Sequence, residues 1–128
     1  MKAAALRSGE WTAKPAAVRT HSDDTNMNRQ TNTTRHGTAF DQATVEAVWR
    51  KGQTVNGHDP STYRKDACGA WIQRASYGTT EDYGWEIDHI RPVAQGGGDE
   101  LGNLQPLQWK NNRHKGDEYP KWSCAVGS

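Results

Sequence analysis

Hydrophobic residues occur in short groups along this chain, and the spacing within each group predicts an element of secondary structure. Val45, Val48 and Trp49 recur at helical spacing after Asp41, which is a good N-cap residue, and Gly52 ends the group. We therefore predict a helix over residues 42–51.

A different spacing follows in the second half of the chain. In "YGWEIDHI", Trp85 and Ile87 alternate with Glu86 and Asp88, which is the pattern of a half-buried strand. A run of three glycines then predicts a loop, "NLQPLQ" predicts a short return strand, and "QWKNNRHK" predicts a helix that ends before Gly116. The earlier "AWIQRASYG" fits a strand and a short helix equally. This order of helices and strands predicts an α+β fold.

Residues 1–38 differ in composition from the rest of the chain. From residue 20 onward this part is rich in Thr, Asn and Arg and holds almost nothing to bury, so few contacts would offset the entropy lost on ordering. Six Lys and Arg against three Asp and Glu give it a charge of +3, whereas ten against twelve give residues 39–128 a charge of −2. We predict a flexible basic N-terminal arm, suited equally to nucleic-acid contact or solubilisation, and one folded domain over 39–128.

The composition limits what stabilises that domain. Only 33% of the 128 residues are hydrophobic, so the core is small and six tryptophans supply much of it. Cys68 and Cys124 form no C-x-x-C pair, so no structural zinc is expected; we expect reduced thiols, with a single disulfide as the alternative. No apolar stretch is long enough for a signal peptide or a membrane span, which predicts a cytoplasmic protein without membrane contact.

The polar residues around the predicted hairpin have the chemistry that phosphodiester hydrolysis requires. An attacking water must lose a proton, and a histidine side chain, which ordinarily titrates near pH 6.5, can accept it. The charge that develops on the phosphate needs a cation, and Mg²⁺ prefers carboxylate and amide oxygens. Asp88 and His89 meet these needs at the end of the first strand, and Asn112 returns on the second helix. Adjacent strand residues point to opposite faces, so Asp88 and His89 share a site only if the strand ends or bends there.

The stretch "DHIRPVAQGGGDELGNLQPLQWKNNRHKGD" resembles the HNH endonuclease motif, and the resemblance extends over about residues 40–118. The family pattern of an acid or histidine before a histidine, a central asparagine and a final histidine or asparagine maps onto Asp88–His89, Asn103 and Asn112. The intervals from His89 to Asn103 and from Asn103 to Asn112 are 14 and 9 positions. The resemblance implies a ββα-metal fold, a hairpin followed by a helix, preceded here by one further helix.

The same resemblance implies a role for each motif residue. His89 is expected to be the general base, Asp88 and Asn112 to hold one divalent ion, and Asn103 to position His89 or the strand around it. Because the last motif residue is asparagine, the expected ion is Mg²⁺ or Mn²⁺ rather than zinc. Other residues near the motif are candidates for phosphate or DNA contact, or, for the last one, an alternative metal ligand: Lys115, Arg113, Arg91 and His114.

These expectations combine into one predicted function with open alternatives. We expect a metal-dependent endonuclease, bacterial or phage-encoded, that cuts double-stranded DNA with little sequence specificity. One alternative is a nucleic-acid-binding module that kept the fold without cleavage. Another is a toxin nuclease with an immunity protein, or a phage packaging nuclease with a terminase, whose catalytic chemistry would be the same.

Overall fold

The computed structural model describes residues 29–127. Its first helix, α1, spans Gln42–Trp49, and the side chain of Asp41 caps it by accepting a hydrogen bond from the backbone N–H of Thr44. This is the predicted helix, and it ends two residues before the predicted end. The cap works as expected because an aspartate carboxylate satisfies a backbone donor that the first helical turn leaves unpaired.

Two antiparallel hairpins and a second helix follow α1. Strands β1, Tyr63–Lys65, and β2, Trp71–Gln73, form the first hairpin, and one 3₁₀ turn over Arg74–Ser76 follows it. "AWIQRASYG" is therefore a strand and then a helical turn. The second hairpin pairs β3 with β4 and leads directly into α2; their bounds are Trp85–His89, Leu104–Gln108 and Trp109–Lys115. The predicted α+β class and its ββα core are confirmed.

The hydrophobic core lies between α1 and the second hairpin. Trp85 is fully buried in it and packs against Trp49, with ring centroids 5.3 Å apart. The remaining members of the core come from α1, β2, β3 and β4: Val45, Val48, Ile72, Ile87 and Leu104. Aromatic rings thus supply much of the buried area in a chain that has few aliphatic residues.

Strand β3 is buried on both faces, although its alternating sequence predicts a half-buried strand. All five of its residues are buried, including Glu86 and Asp88, which are 2% and 5% exposed. The prediction fails because α2 and the chain before α1 cover the polar face. A buried carboxylate requires hydrogen-bond or charge partners, and those partners make up much of the candidate site.

The structure differs from the predicted arm at residues 29–38, while residues 1–28 lie outside the described part of the chain. Asn32 accepts hydrogen bonds through Oδ1 from the backbone N–H of Ile87, at 2.8 Å, and from the hydroxyl of Tyr77, at 3.0 Å. Thr31 and Arg35 also contact the domain. Composition did not reveal this segment because hydrogen bonds from polar side chains, rather than apolar burial, attach it to β3.

The two cysteines are joined in a disulfide, Cys68–Cys124, which contradicts the expectation of reduced thiols. It ties the chain after α2 to the turn before β2, and closing a loop of 56 residues stabilises a fold by about 4 kcal/mol in the chain-entropy model. Disulfides form in oxidising compartments and are rare in the cytosol, so the pairing weighs against the expected cytoplasmic location. Among residues 29–127, no helix has the length and apolar character needed to cross a membrane.

Candidate active site

The end of β3, helix α2 and the segment before α1 line an open cavity of about 370 Å³. Asp88, His89 and Asn112, which the sequence analysis assigned to one site, all line it. Strand β3 ends at His89, which meets the condition that two adjacent strand residues need to share a site. Three further charged residues line the same cavity: Arg29, Arg113 and Asp117.

Asp88 is held on its strand by two partners. Its Oδ2 accepts a hydrogen bond from Nε2 of Gln105, its partner in β4, at 3.0 Å, and its Oδ1 lies 3.3 Å from Nζ of Lys115. Burial raises the pKa of Asp88 above its ordinary value, while the Gln105 hydrogen bond and the charge of Lys115 act in the opposite direction. Each carboxylate oxygen has a second lone pair, so both remain able to bind a cation.

Asn112 is oriented by its amide nitrogen. Nδ2 donates to Oε1 of Glu86 at 2.8 Å and to Oγ1 of Thr31 at 2.9 Å. An ionised carboxylate only accepts hydrogen bonds, so the contact with Glu86 identifies which amide atom is nitrogen. Asn112 is only 7% exposed, and its Oδ1 accepts no hydrogen bond from any residue between 29 and 127. A buried carbonyl oxygen without a donor, in a residue that lines the cavity, is a suitable cation ligand.

His89 has a carboxylate partner that the sequence analysis missed. Its Nε2 lies 2.8 Å from Oδ1 of Asp99, which follows the glycine run, and the backbone N–H of Arg35 donates to the same oxygen at 2.9 Å. The His89 ring is 4% exposed and lies beside Phe40, with centroids 5.9 Å apart. A neutral imidazole that donates from Nε2 carries its lone pair on Nδ1.

Asn103 contacts the backbone after His89 and does not contact its imidazole. Its Oδ1 accepts from the backbone N–H of Arg91 at 2.9 Å, and its Nδ2 donates to the carbonyls of Arg91 and Gly98 at 3.1 and 2.9 Å. Gly97 lies so close that a Cβ there would be 1.7 Å from the Arg91 carbonyl oxygen and 2.9 Å from Nδ2 of Asn103. This glycine of the run is therefore required by the close approach of the loop to the strand end.

Lys115 is not positioned for phosphate contact, contrary to the sequence analysis. It is 1% exposed, and its Nζ donates to the backbone carbonyl of His89 at 3.1 Å in addition to its contact with Asp88. Its charge therefore stays inside the fold, where it compensates Asp88 and holds the end of β3 against α2. Asn112 and Lys115 lie three positions apart on one face of α2, and that face packs on the hairpin.

The other candidates on or near α2 differ in their positions. Arg113 lines the cavity and forms an ion pair with Glu86 at 2.7 Å. Arg91 is exposed and donates to the carbonyl of Gln95, and His114 is exposed beside Ser123; neither lines the cavity. Asn111, the neighbour of Asn112 in α2, is fully buried against Asp66.

Three residues that composition had assigned to the arm line the cavity, and Arg29 is the charged one among them. Arg29 is half-buried and donates from Nη1 to the carbonyl of Thr33 at 2.9 Å. Burial lowers the pKa of its guanidinium, and the charges of Asp117, Asp99 and Asp88 oppose that effect. Within residues 29–127 no carboxylate lies within 4 Å of Arg29, so its charge faces the cavity without a direct ion pair there.

No group of three or more His, Cys, Asp and Glu side chains in the described part of the chain is arranged to hold a metal ion. The oxygen donors that line the cavity include the Asp88 carboxylate, the Asn112 carbonyl and the Asp117 carboxylate. Mg²⁺ is commonly held by one or two protein oxygens, with water and substrate phosphate as the remaining ligands. The donor set therefore fits a hard divalent cation and provides no sulfur or imidazole set for zinc.

Comparison with known proteins agrees with this geometry for the central part of the chain. Residues 68–118 match the family model described as HNH endonuclease. That range begins at the disulfide, ends just after α2, and contains Asp88, His89, Asn103 and Asn112. No curated protein and no solved structure matches the chain.

Proposed function

We propose that this chain, whose residues 68–118 match the HNH endonuclease family model, is a metal-dependent endonuclease that hydrolyses phosphodiester bonds in double-stranded DNA. The observation that carries the proposal is that Asp88, His89 and Asn112 line one cavity, and each is held by its own side-chain hydrogen bond. Oxygen ligands beside a candidate base are what hydrolysis of a phosphodiester requires. A protein that only binds DNA needs no such arrangement.

The oxygens of Asp88 and Asn112 would hold one Mg²⁺ or Mn²⁺ ion. When bound, such an ion supplies positive charge that stabilises the attacked phosphate and the departing oxygen. The chain's contribution is to keep both ligands in place before substrate arrives: Gln105 and Lys115 hold the carboxylate, while Glu86 and Thr31 hold the amide. Ligands fixed in this way need little rearrangement when the ion binds.

His89 would accept the proton of the attacking water at Nδ1. Its Nε2–H would then remain bonded to Asp99, whose carboxylate stabilises the imidazolium that forms and sets the ring orientation. Asn103 would act as a positioning residue, because it fixes the backbone two residues after His89. Asp99 belongs to this group through its contact with the imidazole.

Arg29 and Arg113 line the cavity and could contact the scissile phosphate. Of the three residues expected to make that contact, Lys115, Arg113 and Arg91, Arg113 alone lines the cavity. The charge of Arg113 is compensated by Glu86, so Arg29 is the better candidate. We expect Arg29→Ala to lower the single-turnover cleavage rate by about 10²-fold, the usual cost of removing one donor to a transition-state oxyanion. The measurement is quenched-flow cleavage of a labelled duplex with saturating protein.

Arg35→Ala is the matched control for Arg29→Ala. Arg35 lies in the same segment and is exposed, and its contact with Asp99 uses the backbone N–H, which alanine retains. We expect its rate to stay within threefold of the native rate, since surface substitutions have small effects, about 0.5 kcal/mol or less. Equal losses in both variants would show a general effect of net charge and would remove Arg29 from the site.

Cleavage of supercoiled plasmid tests the proposed function directly. We expect the native chain to cut with Mg²⁺ or Mn²⁺ and to stop when EDTA removes the ion, because the phosphate charge would then lack its cation. The protein should first be dialysed against EDTA and then reconstituted with each ion separately. If no ion supports cutting while the protein still binds plasmid, the domain is a binding module and the hydrolytic proposal is wrong. An immunity protein or terminase partner remains a prediction.

A further inference from the structure

A second cavity, of about 350 Å³, lies on the first hairpin and is lined by aromatic rings only: His58, Tyr63, Trp71 and Tyr83. These four residues are called the aromatic bowl below. The centroid of the Trp71 ring lies 4.7 Å from that of His58 and 6.2 Å from that of Tyr63, and the Tyr63 ring lies 6.1 Å from that of Tyr83. The rings thus form one continuous surface.

The aromatic bowl is not part of the hydrophobic core. None of its four residues belongs to the cluster between α1 and the second hairpin, and Tyr83 is 44% exposed. Tyr63 and Trp71 lie diagonally across the β1–β2 pair, where long side chains on one face meet. The four grouped rings offer flat faces to solvent, and a planar ligand stacks on such faces.

The charge beside the aromatic bowl selects the class of ligand. Nζ of Lys65 lies 4.9 Å from the centroid of the Trp71 ring, which is the position that a cationic ligand would take on an aromatic face. A methylated lysine or other quaternary ammonium would therefore be repelled. A planar ligand that carries negative charge satisfies both the ring faces and the lysine, and a nucleotide has that combination.

We propose that the aromatic bowl binds an unpaired base of the DNA strand, with Lys65 beside the phosphate of the same nucleotide. The identification of DNA rests on the proposed function, while the ring faces and the lysine rest on the geometry alone. Tyr83 lies two residues before β3, and Asp88 lies near the other end of that strand. The bound base would therefore be separated from the scissile phosphate by most of the length of β3.

Binding of labelled oligonucleotides in EDTA tests the proposal without requiring cleavage. The probes are a 12-nucleotide oligothymidine and a 12-base-pair duplex, each measured by fluorescence anisotropy against the full chain and its Tyr83→Ala variant. Stacking on one aromatic side chain is worth about 1–3 kcal/mol per base, so we expect the single-strand Kd to rise about 5- to 150-fold. We expect the duplex Kd to change less than twofold.

Tyr83 suits this test because its fold contact uses the backbone carbonyl, which accepts from the backbone N–H of Gln73 and which alanine retains. His58→Ala removes a second ring at an exposed position and should act in the same direction. Tyr119→Ala is the matched control, since Tyr119 is 40% exposed and does not line the aromatic bowl. It should leave both Kd values unchanged.

Each outcome decides the proposal. An unchanged single-strand Kd in Tyr83→Ala overturns it, and so does an equal loss on duplex, which would indicate contact with the phosphate backbone. Binding of a trimethyl-lysine peptide that is lost in Tyr83→Ala would also overturn it. If single-strand binding depends on Tyr83 but the native chain cuts no plasmid with any ion, the aromatic bowl stands and the nuclease proposal fails. If the native chain cuts plasmid but single-strand binding does not depend on Tyr83, the nuclease proposal stands and the aromatic bowl fails.

Discussion

His89→Ala is expected to lower the rate of plasmid cleavage by about 10²- to 10⁴-fold, the range that a positioned general base contributes. The imidazole is the group in the cavity that we propose as the proton acceptor, and Asp88 is engaged with Lys115 and Gln105. The duplex Kd should stay within a few-fold of the native value, because the substitution removes no cation that contacts phosphate. The measurement is cleavage of supercoiled plasmid with Mg²⁺, with binding followed separately in EDTA.

His114→Ala is the matched control for that experiment. His114 is exposed on the same helix as Asn112 and contacts Ser123, so its loss should leave the rate unchanged. Asp99→Asn supplies an intermediate case, since an amide keeps the hydrogen bond to Nε2 but removes the charge that stabilises the imidazolium. A rate for His89→Ala equal to the native rate would show that another group accepts the proton.

Lys115→Ala is expected to reduce the free energy of unfolding by about 3–5 kcal/mol, because it leaves the Asp88 carboxylate buried without its counter-charge. In a domain of about 100 residues such a loss corresponds to a fall in Tm of about 12 °C or more. Urea denaturation followed by tryptophan fluorescence measures it. Lys110→Ala, at an exposed position of the same helix, should change the stability by less than about 0.5 kcal/mol.

A double variant separates the charge effect from lost packing. Lys115→Met with Asp88→Asn removes both charges and keeps both side-chain volumes, so it should recover most of the stability that Lys115→Ala loses. Its cleavage should be abolished, because the proposed metal ligand Asp88 is lost. If Lys115→Ala instead leaves the stability intact and weakens DNA binding, Lys115 is a phosphate contact, as its helical position first predicted.

Local rules were sufficient for α1, the second hairpin and α2. The N-cap at Asp41, the alternation through β3, the glycine run and the helix that ends before Gly116 each depend on a few residues, and each lies where the sequence predicted. Asp88, His89 and Asn112 were found in the same way, since a motif preserves the spacing that a hairpin and helix impose. They do line one cavity.

What the sequence could not indicate depends on contacts between distant parts of the chain. Glu86 and Asp99 have no local signal that separates them from surface acids, and Thr31 lies 81 positions from the amide it holds. Lys115 looked like a surface cation because helical spacing gives a face but not what covers it. The same limit applies to the aromatic bowl, whose rings come from a loop, both strands of the first hairpin and the residue before Gly84.

The sequence by itself therefore determined the α+β class, the ββα core and the three residues at its cavity, because short-range backbone preferences and motif spacing specify those. Only the tertiary structure decided the Cys68–Cys124 disulfide and the inclusion of residues 29–38 in the fold. It also decided which charged side chains are buried in ion pairs, as Lys115 is, and which face the open cavity. The physical reason is that the burial of a side chain and the partner of a charge depend on two surfaces that pack together, whereas a single stretch of sequence contains only one of those two surfaces.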